Sequence, residues 1–98
     1  MRVVWSVAAV ADREEIFDYI AADSPQAAIL VDERIQRQIR ILAKFPEGGR
    51  GGRVEGTREL VIQRTPYLVV YRVTRERVHI LRVLHGARRW PEDGSEVE

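Results

Sequence analysis

RELVIQRTPYLVVYRVTRERVHILRVLHGARRWP, residues Arg58–Pro91, is the stretch whose reading decides the fold. Arg58 to Ile62 alternates, with Leu60 and Ile62 on one side and Glu59, Val61 and Gln63 on the other, the period of a half-buried strand. Thr65-Pro66 breaks the run, Tyr67 resumes it as YLVVYRV, and a turn at Arg75-Glu76 leads into VHILRVL. Both later runs are apolar on both sides, which predicts central strands with one face under helices. On this alternation Arg72 shares a side with Leu68 and Val70, and Arg82 shares one with Val78, Ile80 and Leu84. An arginine so placed must reach water, a carboxylate or a ligand, because burying it unpaired is very costly. For Arg82 the partner is a ligand or, structurally, Glu59 or an acid on a helix.

Upstream, Arg2 to Trp5 is short, β-branched and aromatic, which predicts a strand that pairs with something further on. Ser6 suits a helix entry. From about Ala8 to Ala22, Ala9, Ile16, Phe17 and Ile20 fall on one side at helical spacing, while Asp12, Glu14, Glu15 and Asp18 make the other side acidic. Ser24-Pro25 opens a second helix: the hydroxyl caps an orphan backbone N–H, and proline is well placed at the first helical position. Ala28, Val31, Ile35, Ile39 and Leu42 carry that helix to about Phe45, where Pro46 stops it. Leu30 and Ile41 lie off this stripe and give part of a second face. Two helices joined by a short link predict an antiparallel hairpin laid on the sheet.

Pro46 to Gly56, PEGGRGGRVEG, holds five of the seven glycines. Glycine there permits either close backbone approach to a ligand or a mobile connection, and the mobile connection is the expectation. The loop lacks the Lys-Ser/Thr ending of a phosphate-cradling P-loop.

At 98 residues the chain predicts one small domain. The absence of cysteine excludes disulfides and thiol chemistry, and two histidines are too few for an ordinary zinc site, so neither metal nor cofactor is expected. No segment has the length of a signal peptide or a bilayer span, which predicts a cytoplasmic protein without membrane contact. The net charge of +1 hides an asymmetry: residues 49–90 carry ten basic and three acidic side chains, while residues 91–98 carry four acidic and none basic. Fifteen of the sixteen basic residues are arginine. Their planar forks suit phosphate, carboxylate and carbonyl recognition, which points to an anionic partner.

The combination of WSVAAVADREEIFDYIAADSPQAA with GRVEGTRELVIQRTPYLVVYRV and VHILRVLHGARRWP resembles the RelE/ParE superfamily of bacterial toxins from type II toxin–antitoxin modules. The resemblance covers about residues 3–91 and is nearest to the ParE branch in the string Arg82-Val83-Leu84-His85. It implies an α+β fold in a single domain, βααβββ, with the helical hairpin packed on a small, mainly antiparallel sheet of microbial-RNase type. Residues 1–91 would form this toxin domain, and the acidic residues 92–98 a disordered tail. It also implies a cognate antitoxin and one of two targets, since ParE-like members inhibit DNA gyrase whereas RelE-like members cleave mRNA in the ribosome.

Cleavage of RNA needs a base for the 2′-hydroxyl, cations on the phosphate and an acid for the leaving oxygen. As an mRNA interferase, a metal-independent endoribonuclease, the chain would use Arg58, Arg64, Arg82 and His85, with Glu55 or Glu59 as base. A tyrosine after the last strand, used by RelE-like nucleases, is absent, and so is lysine from the sheet and loop. Gyrase inhibition is therefore the favoured expectation. Its target surface would be Arg82, His85, Arg88, Arg89 and Trp90, since tryptophan and arginine dominate many interfaces. For His85 a bond to the backbone at the strand end is an equally good reading. Antitoxin contacts are expected at Leu30, Ile41, Arg53 and Arg72.

Overall fold

The computed structural model describes residues 1–88 and 90. Its elements run β1 (Arg2–Trp5), α1 (Val7–Ala21), α2 (Pro25–Ile41), β2 (Arg50–Gly51), β3 (Arg58–Val61), β4 (Tyr67–Val73) and β5 (Arg77–His85). They form one five-stranded sheet in the order β1-β5-β4-β3-β2, with β1 parallel to β5 and the other neighbours antiparallel. This is the α+β arrangement expected from the sequence, enlarged by the two-residue strand β2. Arg89 and residues 92–98, and with them the expected acidic tail, lie outside the described residues.

Both helices start where serine marks the entry. Ser6 Oγ accepts from the Ala9 N–H at 3.0 Å, and Ser24 Oγ from the Ala27 N–H at 3.1 Å, each satisfying a donor that the first turn leaves unpaired. The second helix ends at Ile41, earlier than its periodicity suggests. Lys44 N–H donates to Ile41 O at 3.1 Å and Ala43 N–H to Arg40 O at 3.1 Å, so tighter turns carry the chain on to Pro46.

The hairpin covers one face of the sheet. Ala9 of α1 and Ile35, Ile39 and Leu42 of the α2 segment pack with Tyr67, Val69, Tyr71, Val78, Ile80 and Val83. The second face carries a smaller cluster, Leu68, Val70, Leu81 and Leu84, closed by Trp90 and flanked by Val54. Central strands apolar on both sides are thus accounted for by two cores of unequal size.

The helices are tied to each other by an ion pair. Arg13 donates two bonds to Asp32, at 2.7 and 3.0 Å, Gln36 adds a third at 2.7 Å, and the Arg13 guanidinium lies 5.4 Å from the centre of the Trp5 ring. The hydrogen bonds from Arg13 hold the Asp32 carboxyl below its ordinary value of 3.8.

The glycine-rich loop is not the mobile connection its composition suggests. Tyr71, fully buried in β4, accepts from the Gly49 N–H at 2.8 Å and donates to Pro46 O at 2.8 Å. Arg58 Nη1 donates to Gly49 O at 2.9 Å. Glycine at position 49 is required by close approach, because a Cβ there would lie 2.7 Å from the Tyr71 hydroxyl and 2.8 Å from Glu59 O. Glu59, 2% exposed, completes the anchor by accepting from the Arg53 N–H at 3.1 Å and from Arg50 Nη2 at 3.4 Å.

Removing the phenolic oxygen of Tyr71 leaves a buried N–H and a carbonyl unpaired. Tyr71→Phe should lower stability by about 1–3 kcal/mol, read as a lower urea midpoint with faster proteolysis within residues 46–56. The Arg13–Asp32 pair contributes in full above the ordinary carboxylate value, and because the folded-state value is lowered the contribution is lost as pH falls from there through the folded value. The stability gap between wild type and Asp32→Asn should be full at neutral pH and close as pH drops below about 3.8, and a gap that persists in acid would show the pair is not its source.

Candidate functional site

The site is built on the open edge of β5. The parallel partner β1 reaches only as far as Trp5, opposite Ile80, so the rest of the β5 edge on that side needs other partners. Ser6 N–H donates to Ile80 O at 2.9 Å and Ser6 Oγ to Leu81 O at 2.9 Å, so the residue that caps α1 also continues the ladder. One turn on, Asp12 Oδ2 accepts the Val83 N–H at 3.0 Å. The same carboxylate takes two bonds from the Arg82 guanidinium, Nε to Oδ2 at 2.7 Å and Nη2 to Oδ1 at 2.9 Å.

Arg82 owes its position to a β-bulge. Val70 faces Arg82 and Tyr71 faces Ile80, so Leu81 has no partner and the side-chain alternation shifts by one. Strict alternation groups Arg82 with Val78 and Ile80. In the structure it sits opposite Val70 on the second face instead, with its guanidinium 5.9 Å from the centre of the Trp90 ring. Its acidic partner is the helix residue Asp12, while Glu59 is bound to Arg50 and Arg53.

At the C-terminal end of β5, His85 stands opposite Tyr67, their rings 5.7 Å apart and nearly perpendicular. A backbone N–H can only donate, so the 3.1 Å bond from Ala87 N–H makes His85 Nδ1 the acceptor and leaves the proton on Nε2. His85 is exposed and lines an open pocket of about 370 Å³ with Asp12, Glu15, Tyr19, Tyr67 and Arg88. Burial raises the Tyr67 hydroxyl above its ordinary value, which keeps it a neutral phenol.

Residues opposite one another in an antiparallel pair share a face. Arg58 faces Tyr71 and so lies on the helix side at the loop end of the sheet, whereas Arg82 lies on the second face. His85 is four β4 positions from the Tyr71 level, roughly 13 Å along the strands and two strand spacings across from Arg58. Arg64 occupies the turn between β3 and β4, where it adopts φ 65°. The four residues expected of a nuclease are therefore not gathered around one point. Of the two expected bases, Glu59 is buried among arginines, and Glu55 lies in the loop.

Of the expected target-binding residues, Arg82, His85 and Arg88 border the β5 end, and Arg89 lies outside the described residues. Trp90 does not offer a recognition surface: it is 9% exposed and plugs the second core. Leu30 and Ile41 are 47% and 51% exposed on the outer surface of α2. Arg53 is held at 3.5 Å from Glu59, and Arg72 is half-buried opposite His79.

The residue missed by sequence reasoning is Asp12, grouped with the acidic face of α1 yet only 6% exposed. Its spacing held the signal, three residues after Ala9 and four before Ile16, on the helix's inner stripe. Asp12→Ala would orphan the Val83 N–H and remove both bonds that Asp12 makes to the Arg82 fork. It should cost about 2–3 kcal/mol in chemical denaturation, and Arg82→Met should cost at least as much because it leaves the buried Asp12 carboxylate without this cation.

Residues 3–90 match the family model described as the ParE toxin of the type II toxin–antitoxin system parDE. The protein named toxin Y4kP in Sinorhizobium fredii is 42% identical over 91 residues, covering 93% of this chain and 94% of its own. Toxin RelE2 of Caulobacter vibrioides is 41% identical over 87 residues, 89% of this chain and 97% of its own. Among solved structures, a chain of the chromosomal ParDE TA system from P. aeruginosa superposes with a TM-score of 0.80 at 30% identity, covering 87% of this chain and 95% of that one.

Proposed function

Because the chain belongs to the ParE toxin family of type II toxin–antitoxin systems, with a cognate antitoxin as its partner, we propose that it arrests growth by binding DNA gyrase through the surface at the end of β5. The observation that carries this reading is the dispersal of Arg58, Arg64, Arg82 and His85 over two faces and a turn. Proton transfer in RNA cleavage needs acid and base within hydrogen-bond reach of one phosphodiester, and Glu59 and Arg82 are engaged with partners of their own. Binding a protein requires no such convergence. His85, Arg88 and Tyr19 around the pocket are the residues we assign to target contact, with Arg89 as a further candidate from the sequence.

One feature favours the mRNA interferase reading. His85 Nδ1 accepts from the backbone, which leaves the N–H on Nε2, and the pocket it lines also carries Glu15 and Tyr67, residue types that can serve as acid and base. Purified protein in a gyrase supercoiling assay should inhibit, and His85→Ala with Arg88→Ala should relieve inhibition at least tenfold. Unimpaired supercoiling at large toxin excess, together with cleaved transcripts in a translating extract, would transfer the function to the second reading.

Leu30 and Ile41 lie eleven residues apart, three helical turns along one stripe, and we assign them to the antitoxin, with Arg53 and Arg72 as the polar contribution. A Leu30→Asp, Ile41→Asp variant should remain toxic while co-expressed antitoxin no longer restores growth on plates. Full rescue would remove this stripe from the antitoxin interface.

A further inference from the structure

At the same end of the sheet as His85, where Gly86 N–H donates to Pro66 O at 2.7 Å, α2 meets the turn between β3 and β4 in a small cleft of about 190 Å³ lined by Arg34, Arg37, Gln38, Gln63 and Arg64. No carboxylate lines it. Glu33, the nearest acid in sequence, is not among the lining residues, and none of the three arginines forms an ion pair among the described residues. Three like charges around one hollow repel each other, which a bound anion would reverse.

The cleft is held in shape by its own bonds. Gln38 Oε1 accepts the Gln63 N–H at 2.9 Å, and Gln38 Nε2 donates to Gln63 O at 3.3 Å, so one amide fixes both polar groups of that residue. Arg34 Nη1 donates to Arg64 O at 3.2 Å. Arg64 itself adopts φ 65°, a left-handed conformation that costs a non-glycine residue roughly 1–2 kcal/mol. The turn is thus docked on α2 with its arginine beside two others. Arg37 makes no side-chain hydrogen bond or ion pair among the described residues.

We propose that this cleft binds a phosphate group. Several arginine forks suit the dispersed oxygens of phosphate better than the single charge of a carboxylate, and a lining without apolar residues gives no purchase to a peptide side chain. The site shares no lining residue with the pocket assigned to gyrase and goes beyond that reading. The phosphate could belong to a nucleic-acid backbone or to a small free phosphate.

The test uses the full chain at low salt, with a labelled short oligodeoxythymidylate followed by anisotropy and pyrophosphate followed by calorimetry. Binding is expected for one or both, and the arm that responds identifies the source. Arg34→Gln, Arg37→Gln, Arg64→Gln should weaken it at least tenfold and, for the oligonucleotide, reduce the salt slope by about one for each arginine taken off a phosphate. A control with the same charge change, Arg2→Gln, Arg75→Gln, Arg77→Gln, should bind as wild type. Should the triple variant fold poorly by circular dichroism, Arg37→Gln alone, which breaks no bond in the cleft, should still weaken binding severalfold. Equal losses in cleft and control variants, no binding of either probe by wild type, or preferential binding of polyglutamate would each overturn the proposal.

Discussion

Beyond Ile80 no strand among the described residues lies on the β1 side of β5, and a strand edge in a half-buried position must still satisfy its N–H and C=O groups. A longer β1 would do this with backbone. Here the chain turns into α1, and side chains take over: the Ser6 hydroxyl at Leu81 O and the Asp12 carboxylate at Val83 N–H. Asp12 stands where a further strand would present a carbonyl. Its charge then needs neutralising, and the bulge at Leu81 supplies the means by turning Arg82 to the second face, from which it reaches the edge. Strand end, helix cap, bulge and ion pair are one arrangement, and it sets where α1 sits on the sheet.

That arrangement separates the two faces chemically. The helix side is sealed by the larger core, with the His85 pocket opening at its margin. The second face keeps a small apolar cluster under Trp90, beside arginines bound to the buried Glu59. At least four of the ten basic residues at positions 49–90 are in use: Arg58 on Gly49 O, Arg50 and Arg53 on Glu59, Arg82 on Asp12. A count of arginines therefore overstates the charge offered to a ligand. The cleft of Arg34, Arg37 and Arg64 differs because its hydrogen bonds go to backbone and amide groups rather than to acids.

What could be read from the sequence was local. Ser24-Pro25 states a helix start in two residues, and YLVVYRV and VHILRVL declare buried strands by composition. What could not be read depends on residues far apart. Nothing near Leu81 marks a bulge, so alternation carried Arg82 to the wrong side. The glycines of residues 48–52 look free until Tyr71, over twenty residues later, is known to reach them. Glu59 alternates as a surface residue should, yet it is buried, with Arg50 and Arg53 of the preceding loop paired to its carboxylate. Asp12 is the exception, a nonlocal partner whose local spacing did announce it. The candidate site was legible in its members at the end of β5 and illegible in their grouping, since strand pairing decides which side chains share a face.

The pairing of β1 with β5 joins residues 2–5 to residues 77–80, the first strand to the last among the described residues. During synthesis β1 has no partner while the intervening helices and hairpin emerge from the ribosome, and a nascent chain that stops before Arg77 can never close its sheet. Asp12 likewise waits for Val83, so α1 has no seat on the sheet edge until Val83 has been made. Products that stop short of His85 are thus denied the finished surface at the end of β5.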